Sequence, residues 1–140
     1  MTYRVSRKKK IIKAKLSNGD NFKVVARPSK FPNGGYLWLV SMAASKSNRA
    51  IDDWIKERTK RKRVKKLNHS HPKKRDVKAL RIAVNAAKKW ITEIPEGDCL
   101  VFRAEGAKAD QLFRIYKKWF KTHENIPWVI SEEHKSFFFY

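Results

Sequence analysis

Residues 56–66 read KERTKRKRVKK and carry eight positive side chains: Lys56, Arg58, Lys60, Arg61, Lys62, Arg63, Lys65 and Lys66. Such a run can neutralise phosphates, because Lys and Arg replace the counterions condensed along a nucleic-acid backbone. Lys73, Lys74 and Arg75 extend it, and no acidic residue stands between Arg58 and Arg75. A solvated helix face of lysines alternates sign for i,i+4 pairing, whereas a run of one sign repels itself until an anion arrives. KRKRVKK also fits a nuclear-localisation tag, but basic residues are spread along the whole chain, which a tag does not need. Trp54 stands one turn before the run, and its ring can stack on an unpaired base. Phe31, Tyr36 and Trp38 offer the same surface and are equally suited to burial against a sheet.

Several other residue types could carry chemistry. His69 and His71 have a spacing that could begin a metal site, but Cys99, His123 and His134 are distant and complete no ligand pattern; solvated loop histidines are the simpler reading. Asn68-His69 lacks the second histidine of a nuclease signature. Glu93, Glu96 and Asp98 cluster near one turn, as metal ligands or as a solvated loop. Tyr116 is a general-acid candidate that also fits the apolar stripe of a helix. Cys99 reads as a packing residue. The sequence therefore predicts no metal, no cofactor and no catalytic residue beyond the candidate Tyr116.

Charge and size narrow the classes further. The chain has 140 residues and a formal charge of +21, with an apolar fraction of 41% that includes eight Phe, five Trp and four Tyr. That is enough for one packed domain spanning 1–140, with 1–9 as a basic N-terminal arm and 56–75 as the basic segment. A charge of this size on a small folded surface calls for an anionic partner, most commonly nucleic acid. A single cysteine rules out an intrachain disulfide. No apolar run is long enough to serve as a signal peptide or to span a bilayer. The expected setting is the cytoplasm, in contact with nucleoid or ribosome and with no membrane.

These groups must be positioned by elements that the periodicity outlines. Residues 11–16 and 22–26 alternate apolar with polar around SNGDN, which predicts a hairpin. Facing Ile12, Ala14 and Leu16 against Ala26, Val24 and Phe22 requires a three- or five-residue loop. After a loop at RPSKFPNGG, YLWLVSMAA reads as a strand buried on both faces. Ser47 or Asn48 caps a helix expected to reach about residue 63, and Pro72 disfavours helix at His71. A second helix is predicted from Val77, Leu80, Val84, Ala87, Ile91 and Ile94, and a third over 108–121 with Leu112, Phe113, Tyr116, Trp119 and Phe120 on its stripe. CLVFRA, WVIS and HKSFFFY supply further strands. Phe137, Phe138, Phe139 and Tyr140 are expected to be ordered, because four exposed aromatics would leave a large apolar patch. The fold class is α+β, with a single mixed, mainly antiparallel sheet and two or three helices.

The stretch LVFRAEGAKADQLFRIYKKWF, with its strand, helix and late Tyr116, resembles the C-terminal half of the GNAT acetyltransferase superfamily. There a helix with a pattern similar to N-x-x-A-x-x-x-Y-x-x-x-G-F follows the fifth strand, and two strands close the sheet. Ala109 stands at the Asn position, Leu112 at the Ala position and Tyr116 at the Tyr position, while Phe120 and Lys121 replace Gly-Phe. The resemblance implies acetyl-coenzyme A as cofactor, a Tyr116 general acid and a splayed cleft between the two central strands. The family's pyrophosphate loop, similar to R-x-x-G-x-G/A, falls on LNHSHPKKRDVKAL. That stretch has no glycine to let backbone N–H groups reach a phosphate, which leaves Lys73, Lys74 and Arg75 to do so through side chains.

The expected function is therefore a small, basic, non-catalytic protein that binds DNA or RNA within a larger nucleoprotein assembly. Its contacts are Trp54, Lys56, Arg58, Lys60, Arg61, Lys62, Arg63, Lys65, Lys66, Lys73, Lys74 and Arg75. The alternatives are a GNAT-like N-acyltransferase with a rebuilt coenzyme A site and a binder of an acidic protein partner. Compactness and composition also fit a phage-encoded protein.

Overall fold

In the computed structural model, residues 8–30, 34–59, 77–105, 108–121 and 128–140 are described, with the backbone alone at 54 and 56–59. The elements are β1 (Lys10–Lys15), β2 (Asn21–Lys30), β3 (Tyr36–Ser45), α1 (Asn48–Thr59), α2 (Val77–Ile91), β4 (Cys99–Arg103), α3 (Ala109–Phe120), β5 (Trp128–Ser131) and β6 (Ser136–Phe139). They form an α+β fold with a single mixed sheet of order β1-β2-β3-β4-β6-β5. Among the described residues only β3 and β4 run parallel. Among the described residues no helix is long and apolar enough to cross a membrane.

The first hairpin takes the shorter of the two loops the alternation permits. Leu16 N–H donates to the Asp20 carbonyl at 2.8 Å, and Gly19 N–H donates to the Leu16 carbonyl at 3.0 Å. Gly19 adopts φ 89°, the left-handed position that a three-residue hairpin loop requires. Ile12 consequently faces Val24 and Ala14 faces Phe22. The partners have moved by two residues from those predicted, which keeps every side chain on its expected face.

The loop expected to begin at Arg27 is a strand instead. β2 continues to Lys30 and pairs with β3 through Lys30↔Tyr36. Past Ala26 it has no paired residue on its β1 side among the described residues, so Pro28 withholds no hydrogen bond from β1. On the free edge, β1 presents Lys13 and Lys15 to solvent, which discourages pairing with another chain.

Helices cover both faces of the sheet. Ser47 caps α1, its Oγ accepting the Ala50 N–H at 3.3 Å. Ile51 and Ile55 then pack on Val25 and Ala43. The predicted continuation of this helix to residue 63 lies outside the described residues. On the opposite face, Phe22, Val24, Trp38, Val40, Met42, Leu100, Phe102, Phe137 and Phe139 meet α2 and α3. The buried face of α2 is Ala79, Leu80, Ala83, Val84, Ala86, Ala87 and Trp90. It is rotated from the predicted stripe: Val77 is 47% exposed, and alanines let the helix approach the strands closely. The stripe on α3 is as expected, with Leu112, Phe113, Tyr116 and Phe120 buried and Trp119 half-buried.

The chain end belongs to the core. Phe137 and Phe139 are buried and Phe138 is half-buried, whereas Tyr140 is exposed. β6 lies between β4 and β5 and pairs antiparallel with both.

Asp98 joins the two parallel strands at their start. Its carboxylate is buried and accepts the Tyr36 backbone N–H at 3.1 Å and the Trp38 indole N–H at 2.9 Å. Removing it orphans a buried indole donor and an amide. Asp98→Ala is therefore expected to cost about 2–4 kcal/mol, measurable by urea unfolding. A loss below about 0.5 kcal/mol, the scale of an ordinary surface change, would refute this role.

Candidate nucleic-acid interface

The structure describes little of the basic segment itself. Lys60, Arg61, Lys62, Arg63, Lys65, Lys66, Lys73, Lys74 and Arg75 lie outside the described residues, as do Phe31, His69 and His71. Trp54, Lys56 and Arg58 belong to α1 by backbone alone. Since α1 follows β3 after two residues, the segment starts from the helix that covers the Val25–Ala43 face of the sheet. Of the other aromatics suited to stacking, Trp38 is 1% exposed and its indole N–H is held by Asp98, so it is a core residue. Tyr36 is half-buried.

Two basic clefts are described elsewhere. One, of about 210 Å³, lies between β1, β2 and α1 and is lined by Lys9, Lys23, Arg27 and Asp52 with Ile11, Val25 and Ile55. Lys23 forms an ion pair with Asp52 within it. The second, also about 210 Å³, lies between α2 and α3 and is lined by Arg81, Val84, Asn85, Lys88 and Trp119. Burial there pushes the Lys88 ammonium below the usual lysine range. Arg81 and Lys88 lie off the apolar stripe predicted for α2, and Trp119 lies on the packing stripe predicted for α3. The available signal was the i, i+4, i+7 spacing of Arg81, Asn85 and Lys88 on a helix without a single acidic residue.

The other candidate residues serve the core or the surface. Tyr116 is fully buried, edge-to-face with Phe102 at a centroid distance of 4.8 Å. Burial, with Glu105 nearby, pushes its phenol above the ordinary range. The acidic cluster is divided: Asp98 serves β3, Glu93 pairs with Lys10 at 3.2 Å, and Glu96 is exposed. Among the described residues no group of three His, Cys, Asp or Glu side chains could hold a metal ion.

Cys99 is buried, and burial pushes its thiol up against a hydrogen bond from the Phe139 backbone. A thiol kept protonated and covered is a poor nucleophile. Labelling of the native protein by a disulfide reagent is expected to be slower than that of the urea-unfolded chain by about a hundredfold or more, as opening free energies of a few kcal/mol imply. Equal rates would mean that the β4–β6 pair opens freely.

The parallel pair has one further property. β3 and β4 are paired only through Leu37↔Cys99, Trp38↔Leu100 and Leu39↔Val101, after which β3 runs on to Ser45 and β4 to Arg103 without pairing to each other. Ser41, just past this point, has a buried hydroxyl with no hydrogen-bond partner among the described residues.

No protein-family model, no curated protein and no solved structure matches this chain.

Proposed function

We propose that this is a small, basic, non-catalytic protein that binds DNA or RNA by gripping phosphates through its Lys/Arg-rich segment at 56–75, in the cytoplasm and as part of a larger nucleoprotein assembly. One observation carries the reading. With 34 Lys and Arg against 13 Asp and Glu, a surplus of 21 cations has no carboxylate to pair with one to one, however the chain folds. The described ion pairs, Lys10–Glu93, Lys23–Asp52, Lys117–Glu132 and Lys135–Asp110, draw on carboxylates that are few, and Lys78, Arg81 and Lys89 stand exposed on one helix. A polyanion relieves that repulsion, and the release of its counterions drives binding.

The test is a salt titration of binding to two unrelated duplexes and to one single strand. About six phosphate contacts give a log–log slope near −5 on duplex and a shallower one on a single strand. Affinities should be similar for the two duplexes, because phosphate contacts carry no base information. Absence of binding at low salt, or binding indifferent to salt, would end this reading.

A second reading, a GNAT-like N-acyltransferase with a rebuilt coenzyme A site, is favoured by the early parting of β3 and β4, whose pairing ends after Leu39↔Val101. Saturable acetyl-coenzyme A binding in calorimetry, together with loss of function in a folded Tyr116→Phe variant, would support it. Under the nucleic-acid reading, Tyr116→Phe keeps both the ring packing and the function. A binder of an acidic protein would differ from both in resisting competition by DNA.

A further inference from the structure

We infer that the cleft between α2 and α3 is a binding site for an unpaired nucleotide, with Trp119 stacking on the base and Arg81 and Lys88 holding the adjoining phosphates. The inference rests on the nucleic-acid reading above and adds to it a single-stranded partner and a second contact surface, on the helical layer opposite α1.

The types of group brought together are the first ground for it. Arg81, Asn85 and Lys88 occupy one ridge of α2, and Trp119 closes the cleft from α3. Cations alone would fit any polyanion. A half-buried indole beside them supplies a flat π-face, which sugar-phosphate does not need and a base does. Asn85 adds an amide, and a carboxamide can donate and accept at once along a base edge. Carboxylates of an acidic protein would use the cations and leave the ring and the amide acceptor idle.

Shape points the same way. A duplex is read by convex elements that enter its grooves, whereas the bases of a single strand leave the stack and enter concave sites. The cleft is a shallow, open concavity of about 210 Å³. Lys88 is half-buried and lines the cleft with Arg81. Lys78 and Lys89, both exposed on the same helix, offer an outward track for the neighbouring phosphates, and α2 has no acidic residue to repel them.

Binding of fluorescein-labelled oligothymidylate, and of a duplex of equal length, is measured by anisotropy across a salt series. Trp119→Leu keeps an apolar side chain against the core and removes the π-face. It should weaken single-strand binding roughly tenfold, given the usual contribution of one stacked base, while duplex affinity changes by less than about twofold. The double variant Arg81→Gln, Lys88→Gln alters an exposed and a half-buried residue and should fold normally. It should reduce the single-strand slope by about 1.4, at roughly 0.7 per contact.

Wild type binding neither probe would refute the nucleic-acid reading and this site together. Wild type binding both, with Trp119→Leu unchanged, would refute the site alone. If Trp119→Leu melts early, the double variant decides, and an unchanged slope overturns the proposal. Displacement of the oligonucleotide by polyglutamate as readily as by unlabelled oligothymidylate would assign the cleft to an acidic protein instead.

Discussion

Phe137→Ala is expected to destabilise the protein by about 3–5 kcal/mol, the range for emptying a buried aromatic site. The ring is completely buried on β6. It stacks with Phe113 at a centroid distance of 4.9 Å and with Trp128 at 5.8 Å, and contacts Phe120 at 5.2 Å. Those neighbours come from α3 and β5, so no single element can move in to fill the space. Deleting residues 136–140 should do more, because β6 is the strand through which β5 joins the sheet. That variant should fail to give a cooperative melt, or should aggregate through the exposed aromatics. Tyr140→Ala is the control: the residue is 65% exposed, and its removal should stay within about 0.5 kcal/mol. Melting of the deletion variant at the wild-type temperature would show that the tail is a docking peptide rather than a core strand.

Changing Arg61, Lys62 and Arg63 together to Ala should reduce the duplex salt slope by roughly 2–3 units, at about 0.9 per phosphate contact. At moderate salt this corresponds to an affinity loss of about two orders of magnitude. The loss should be similar on every sequence, because positioning contacts do not distinguish bases. Stability should hardly change, since the three cations repel one another and their removal relieves that repulsion. The measurements are a salt titration of wild type and variant on two duplexes and a single strand, and a melt of each protein. Equal slopes would move the phosphate grip away from 60–66. The next candidates would be Lys8, Lys9 and Lys10, of which Lys9 lines the cleft beside β2 and Lys10 is paired with Glu93.

Local pattern and residue counts were sufficient for part of this architecture. Alternation identified the first hairpin and the face each residue takes, and the three-and-four spacing of Leu112, Phe113, Tyr116 and Phe120 identified α3. The surplus of cations comes from composition alone. Pairing between distant segments stayed open. Nothing local chooses between a three- and a five-residue loop at SNGDN, since both keep the same face inward; hydrogen bonds from Leu16 and Gly19 chose the shorter. Nothing local shows that Arg27 to Lys30 find partners on β3, or that β6 enters between β4 and β5.

The candidate site divides along the same line. The run at 56–66 was legible because like charges contiguous in sequence stay close in space. The cleft of Arg81, Asn85, Lys88 and Trp119 was not legible, because its ring comes from a separate helix and meets the ridge only when α2 and α3 pack on one face of the sheet. Asp98 teaches the same lesson about polar groups. Beside Glu93 and Glu96 it looked like part of a solvated cluster, but the parallel approach of β3 and β4 carried the Trp38 indole to it, and a buried donor needs an acceptor. Periodicity records which side of an element is buried; only the assembled sheet decides which residues meet there, because that choice is settled by packing between segments far apart in the chain.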